Sequence, residues 1–293
     1  MPTATRTSSD PGNASHIHLE VVGSPRIARD LGASALVPVV HTPGLEALDP
    51  QAAYWCSGSW AARVVATGHH PFLSPGPAWL ARLPEEFLAR PLRSGFLGDL
   101  FHPWRRPLFV SLAQHESRTF HGRVHSDAES LLALALSAFP GRSLQELCGL
   151  ATIVSQPVVF AQEFRCFLAR ARVTSVSHTR TRYGGAETTW QAHGRDEGPD
   201  TRDAQRFAQE VADAVGPDQA PGYCLDVGRL DVGRWAVIDA RPAWSADPCR
   251  GDPDGTVAAI LSSQEENPDW GWRPDPLTAA AAQPLPSPQI LVA

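Results

Sequence analysis

Residues 225–244, LDVGRLDVGRWAVIDARPAW, decide the fold of this chain. Two runs rich in apolar residues, YCLDVGRL and RWAVIDA, flank an Asp-Val-Gly stretch, which predicts a β-hairpin. If Val232 and Gly233 form a two-residue turn, the register places Asp226 opposite Asp239. Opposed side chains of antiparallel strands lie about 4.5–5.5 Å apart at Cβ, so these like charges are destabilising unless a cation lies between them.

Two interpretations of this aspartate pair stay open. In the first, a divalent cation lies between the carboxylates; Mg²⁺ binds one or two carboxylates and completes its shell with water and phosphate oxygens. In the second, both aspartates are simply exposed near a turn. A turn one residue longer would place them on opposite faces of the hairpin.

A second hairpin is predicted before the first, because residues 163–168 (EFRCFL) and 172–177 (RVTSVS) alternate and are joined by a short turn. Glu163 and Arg165 are two residues apart, so both point to one face. Arg180 and Arg182 follow, and arginine forks bind phosphate or carboxylate with two parallel hydrogen bonds. Ordinary surface ion pairs would give the same pattern.

The rest of the chain mixes helices and strands. We expect a helix from Asp49 to about Thr67, strands at residues 107–112 and 120–124, and an amphipathic helix at 203–215. Ser126 is predicted to cap a further helix, with Glu129 completing a capping box. This order of elements, with its antiparallel hairpins, predicts an α+β fold and argues against a doubly wound sheet.

Composition excludes several function classes. The net charge is −6, which argues against a nucleic-acid binder, and all 25 basic residues are arginine, which excludes a lysine Schiff base and a GxxxxGK[ST] phosphate loop. The five cysteines are scattered without a CxxC pair, so neither a zinc ribbon nor a disulfide framework is indicated. No run approaches the ~20 apolar residues of a membrane span. We expect a cytoplasmic protein with no nucleic-acid or membrane partner.

Four segments together resemble a compact bacterial branch of the ATP-grasp superfamily, over roughly residues 70–260. The stretch FLSP at 72–75, with WLARLP at 79–84 and Arg90, resembles the N-terminal signature of that branch. Residues 107–124 (PLFVSLAQHESRTFHGRV) resemble its phosphate-loop hairpin, and residues 153–158 (IVSQPV) resemble the hinge that holds adenine. Residues 225–244 resemble its metal-binding hairpin, whose pattern is Asp-Val-Gly, a turn, then Glu-x-Asn.

The resemblance implies an ATP-grasp fold, in which two α+β subdomains grip a nucleotide and follow a small α/β N-terminal domain. It implies a ligase that uses ATP and Mg²⁺ to join a small-molecule or peptide carboxylate to an amine acceptor through an acyl phosphate. The implied nucleotide-binding residues are Arg118, Val154, Ser155, Gln156, Val158 and Glu163. The implied catalytic residues are Arg165, Arg180, Arg182 and Arg241, and the implied metal ligands are Asp226 and Asp239.

The domain boundaries that follow are a disordered N-terminus at 1–15, an N-terminal domain at 16–105 and a small ATP-grasp subdomain at 106–160. A C-terminal subdomain with the metal-binding hairpin covers 161–264. Residues 265–293, rich in proline and alanine, are expected to form a tail.

Three departures from the family pattern motivate an alternative. Glu-x-Asn becomes Asp239, Ala240 and Arg241, and an arginine cannot ligate a metal, so it repels one or replaces one. Ser111 stands where the family usually has a lysine, and Arg118 stands near a second one. The alternative is a degenerate protein that binds a nucleotide or an acidic ligand without ligation, with Arg241 in place of the metal. If the aspartates share Mg²⁺, Asp226→Asn should leave stability near or above wild type.

Overall fold

The computed structural model describes residues 18–44, 48–69, 71–113, 120–183, 189–191 and 198–285. Within these ranges the strands form three sheets, of three, four and five strands. Helices pack between and outside the sheets, which confirms the α+β class. No described helix combines the length and the apolar character needed to cross a membrane. The predicted disordered residues 1–15 lie outside the described ranges.

The N-terminal sheet is parallel, as expected of a small α/β unit. Its elements are β1 (His18–Val22), α1 (Pro25–Leu31), β2 (Val39–Thr42), β3 (Ala52–Trp55) and α2 (Gly58–Val65), and the strand order is β2-β1-β3. The helix predicted from Asp49 to Thr67 is wrong in its first half. Ala52, Ala53 and Tyr54 are buried there in a strand. Helix α2 begins only after Ser57, whose hydroxyl accepts the Trp60 N–H.

The four-stranded sheet is antiparallel, in the order β4-β7-β5-β6. After α3 (Glu85–Leu88) it comprises β4 (Leu92–Phe96), β5 (Leu108–Leu112), β6 (Arg123–His125) and β7 (Ala151–Ser155), with α4 (Ala128–Ala138) and α5 (Leu144–Cys148) between β6 and β7. The predicted cap of α4 is off by one residue. Asp127, not Ser126, accepts the Ser130 N–H, at 2.7 Å, because its carboxylate is the stronger acceptor at a helix N-terminus.

The five-stranded sheet is also antiparallel, in the order β10-β9-β8-β11-β12. Its elements are β8 (Phe160–Ala169), β9 (Arg172–Tyr183), β10 (Thr189–Gln191), α6 (Pro199–Val215), β11 (Gly222–Leu230), β12 (Trp235–Pro242) and α7 (Pro253–Ser262). Phe164 and Cys166 pack on one face with α6, and Phe167 packs on the other face with α7. Alternation along β8 therefore places Arg165 on the α7 side.

The segment after residue 265 packs against the rest of the protein, where a tail was expected. It contains a 3-10 turn (Pro268–Trp270) and α8 (Pro276–Ala281). Trp272 is 5% exposed and meets Trp244 edge to face, with ring centroids 5.0 Å apart. Leu277 is buried in the core of the four-stranded sheet. Proline-rich composition suggested a tail, but the burial of large apolar side chains stabilises this segment in place.

Candidate functional site

The β11–β12 hairpin brings the two predicted aspartates together by a route that the sequence did not indicate. The Leu230 N–H donates to the Arg234 carbonyl at 2.8 Å, so the turn has three residues, not two, with Gly233 at φ +84°. A turn of this length alone would set Asp226 opposite Ile238. A bulge between Val237 and Asp239 restores the register, and Asp226 pairs with Asp239 as predicted.

Asp226 is held by a buried arginine. The Arg165 Nε and Nη2 atoms each donate to one Asp226 carboxylate oxygen, both at 2.8 Å, and the two side chains are only 11% and 12% exposed. Burial opposes ionisation of Asp226, but the Arg165 guanidinium outweighs it and holds the pKa of the carboxyl below its usual value. Arg165 also donates to the Asp247 carbonyl. The geometry thus gives Arg165 a different partner from the phosphate predicted for it.

Arg241 lies at both carboxylates of the opposed pair. Its Nε donates to Asp239 Oδ2 at 2.9 Å and lies 3.6 Å from Asp226 Oδ2. The other Asp239 oxygen accepts the Ala240 N–H, also at 2.9 Å. Burial and the neighbouring Asp226 raise the pKa of Asp239, and Arg241 opposes that shift. A guanidinium therefore takes the place between the two aspartates where a cation was expected.

These groups belong to a row of charges that crosses four adjacent strands, which we call the charged strip. On β9 and β8, Arg180 faces Glu163 in the strand register, with Nη1 and Oε2 4.0 Å apart. Burial raises the pKa of Glu163. The strip contains three acidic and three basic side chains: Arg180, Glu163, Arg165, Asp226, Asp239 and Arg241. Its formal charges therefore cancel.

A cavity of about 380 Å³ opens at the β12 end of the charged strip. Asp239 and Arg241 line one side, and the β5–β6 hairpin lines the opposite side through Ser111 and residues 120–122. Trp244 and Trp272 complete the wall. Arg118, predicted to bind phosphate from the same hairpin, lies outside the described residues. Of Arg182 the structure describes the backbone, which pairs with Trp190.

The four residues predicted to hold adenine are not part of this cavity wall. Val154 is buried in the core of the four-stranded sheet, where β4 and β5 flank it. The Ser155 side chain is buried as well, while Gln156 is exposed and its N–H donates to the Pro91 carbonyl. Val158 is partly exposed on the segment that leads into β8. Their role in adenine binding stays a prediction.

Sequence reasoning missed the structural role of Arg90. This buried side chain donates to the carbonyls of Leu88, Val237 and Ile238 and to the Ser155 hydroxyl. Burial lowers its pKa to about 10. Because Ser155 lies on β7 and the two carbonyls lie on β12, Arg90 joins the two antiparallel sheets beside the predicted hinge. Its place in the N-terminal signature was the one sequence signal for it.

The side chains present do not fit the Mg²⁺ that the resemblance implies. Each oxygen of Asp226 and Asp239 already accepts an N–H, and Arg241 stands at the position that would supply a third ligand. Within the described ranges, the group of three side chains spaced to share a metal ion lies elsewhere, at His18, Glu20 and Asp49 of the N-terminal sheet. The charged strip is built around guanidinium groups.

Comparison with known families gives one sequence match. A family model for an ATP-grasp domain, the second family of its clade, matches residues 87–259, more than half of the chain. The matched range contains both antiparallel sheets and most of α7. Proteins of curated function give no match.

Several solved structures are similar at low identity. The D-alanine–D-alanine ligase of Bacillus anthracis is 10% identical with a TM-score of 0.45, over 85% of this chain and 97% of that one. An Aspergillus clavatus N5-carboxyaminoimidazole synthase in complex with ADP is 13% identical with a TM-score of 0.43, over 88% and 79%. The ATP-grasp ligase PsnB with a minimal precursor is 14% identical with a TM-score of 0.40, over 84% and 98%. Likeness at this level carries no argument about substrate.

Proposed function

Since this chain belongs to the ATP-grasp domain family whose model it matches, we propose that it binds a nucleoside triphosphate and uses it to activate a carboxylate for ligation. The observation that carries the proposal is the cavity between the β5–β6 hairpin and the Arg241 end of β12. Its volume lies within the ~300–1,000 Å³ typical of small-molecule sites. Its wall combines one guanidinium with hydroxyl groups and two indoles, which suits a phosphate next to an organic group.

In the proposed reaction, an oxygen of the substrate carboxylate attacks the γ-phosphorus, and the bond from that phosphorus to the β–γ bridging oxygen breaks. The nucleoside diphosphate leaves and an acyl phosphate remains. An amine then attacks the acyl carbon, the C–N bond forms, and phosphate leaves with the electron pair of the C–O bond. Such transfers depend on positioning and on charge stabilisation.

We assign these tasks to arginines at the exposed ends of the charged strip. Arg241 lines the cavity and would hold a phosphate as a two-pronged donor. Arg180 is 59% exposed beside Glu163, so it can turn towards a substrate carboxylate, and Arg182 follows it by two residues. Arg118 of the β5–β6 hairpin would reach the phosphates from the other side.

A second candidate function is a nucleotide or acidic-ligand binder that does not ligate. The pairing of Arg241 with Asp239 favours it, together with Ser111 where the family usually has a lysine. Both candidates use the same cavity, but they differ in whether an acyl phosphate forms. A chemical trap for that intermediate therefore separates them.

The test combines nucleotide binding with hydroxylamine trapping. Calorimetry with ATP, and with AMP as the control, measures binding; carboxylate pools with ATP and hydroxylamine then yield hydroxamates, seen by mass spectrometry, if an acyl phosphate forms. Arg180→Gln should abolish hydroxamate formation and retain ATP binding. The matched control is Arg229→Gln on β11, whose partner is the exposed Asp200 at 3.2 Å. ATP binding without hydroxamate would favour the second candidate, and absence of ATP binding would refute both.

A further inference from the structure

The opposed aspartates of the hairpin need a positive charge between them, and the structure supplies it from the chain itself. Arg241 Nε contacts Asp239 at 2.9 Å and lies 3.6 Å from Asp226, whose two oxygens are also bound by Arg165. Two guanidinium groups thus neutralise two carboxylates. A divalent cation would have to displace Arg241 and break the paired hydrogen bonds from Arg165.

Arg241 keeps donor capacity on the side that faces the cavity. Its contacts with described residues, to Asp239 and Asp226, all use Nε, and its side chain is 46% exposed and lines the cavity wall. The two Nη groups therefore point away from the aspartates that fix Nε. A guanidinium presents such a pair of donors in a rigid fork that matches two oxygens of one phosphate.

We infer that Arg241 is a built-in replacement for the divalent cation, so that this site binds nucleotide phosphates without metal. One edge of the guanidinium holds the aspartate pair, and the other edge binds the phosphate. The identity of the ligand rests on the proposed function. The exclusion of metal from the aspartate pair rests on the geometry of this chain alone.

Replacing Arg241 by the amide that the family pattern has at this position should convert the site. Arg241→Asn leaves Asp226 and Asp239 opposed without Arg241 and adds an amide oxygen, so this variant should acquire affinity for Mg²⁺. With Mg²⁺ alone at ~100 times its Kd, its unfolding midpoint should rise by about 4 °C relative to EDTA. Wild type and the matched control Arg229→Asn, which faces a single carboxylate, should not respond.

Nucleotide affinity gives an independent readout. Wild type should bind ATP with a Kd that agrees within about twofold in EDTA and in Mg²⁺, and Arg241→Asn should lose at least tenfold in EDTA, the loss expected for a charge-assisted hydrogen bond. Mg²⁺ should restore part of that loss. Arg241→Lys keeps a positive charge and should remain indifferent to Mg²⁺.

Each outcome decides the inference. Stabilisation of wild type by Mg²⁺ alone, or ATP binding by wild type only in Mg²⁺, would overturn it. An Arg241→Asn variant that folds and ignores Mg²⁺ would overturn it as well, and if that variant does not fold, the wild-type and Arg241→Lys titrations decide. If wild type binds no nucleotide, the proposed function fails, whereas the metal-only titrations still test whether Arg241 replaces the cation.

Discussion

Substitution of Asp226 by asparagine should destabilise the protein strongly, contrary to the expectation from sequence that it would be neutral. Asp226 accepts both hydrogen bonds of a two-pronged pair with Arg165, and both side chains are nearly nine-tenths buried. Asparagine offers one acceptor oxygen and no charge, so it leaves the Arg165 guanidinium buried and uncompensated. Breaking a buried pair in this way costs about 3–5 kcal/mol.

The cost converts to a measurable shift in melting temperature. The unfolding entropy of roughly 2.1 cal/mol/K per residue amounts to about 0.6 kcal/mol/K for a chain of 293 residues, so Asp226→Asn should lower Tm by about 5–8 °C. Asp239→Asn is the matched control. Its pair with Arg241 has side chains 34% and 46% exposed, and such pairs contribute at most about 1 kcal/mol.

Two further arms test the mechanism of the loss. The double variant Arg165→Met with Asp226→Leu removes both charges and should recover most of the stability, as buried pairs replaced by apolar side chains generally do. The pKa of Asp226 lies below its ordinary 3.8, so its ionised form stabilises the fold above that pH and the benefit falls as the pH drops through the folded pKa. The gap between wild type and Asp226→Asn should therefore shrink in acid. Equal losses for Asp226→Asn and Asp239→Asn in urea unfolding would refute the reasoning.

Three other substitutions have defined outcomes. Burial lowers the pKa of His125 below 6.5, so the unfolded chain takes up a proton that the folded protein refuses and stability falls below that pH; His125→Phe should flatten the decline of urea midpoints between about pH 7 and 5. Gly255→Ala would place a Cβ 1.9 Å from the Thr174 carbonyl oxygen and should cost about 3 kcal/mol in urea unfolding, whereas Gly149→Ala, whose nearest contact is 3.6 Å, should cost under about 1 kcal/mol. Arg90→Lys cannot reach all of its four acceptors and should cost about 2 kcal/mol by the same measurement, a result that an unchanged midpoint would contradict.

The pairing of Asp226 with Asp239 could be predicted from the sequence because hairpin register is largely local. The turn itself could not: the bulge at Ile238 depends on packing of the whole sheet, and it happened to compensate for the extra turn residue. The Arg165–Asp226 pair joins β8 to β11 across 61 positions of sequence. Alternation shows which face a side chain takes, but it does not show which distant strand lies beside it.

Composition misled where a few large side chains outweighed many small polar ones. The segment after residue 265 has the prolines and alanines of an unpacked tail, yet Trp272 and Leu277 are buried. Likewise, the alanines of β3 favour a helix by propensity, but burial between α2 and its neighbours selects a strand. In both cases tertiary contacts overrode local preference.

The packing of Trp272 on Trp244 has a consequence for how the cavity comes into existence. Its wall draws on Gly58 and Ser74 near the start of the chain, on the β5–β6 hairpin in the middle, and on Trp272 close to its end. During synthesis the ribosome must therefore release almost the entire chain before the cavity can close. A shortened chain that stops at residue 264, the predicted boundary, would leave the indole of Trp244 open to water and would offer an unfinished site to any ligand.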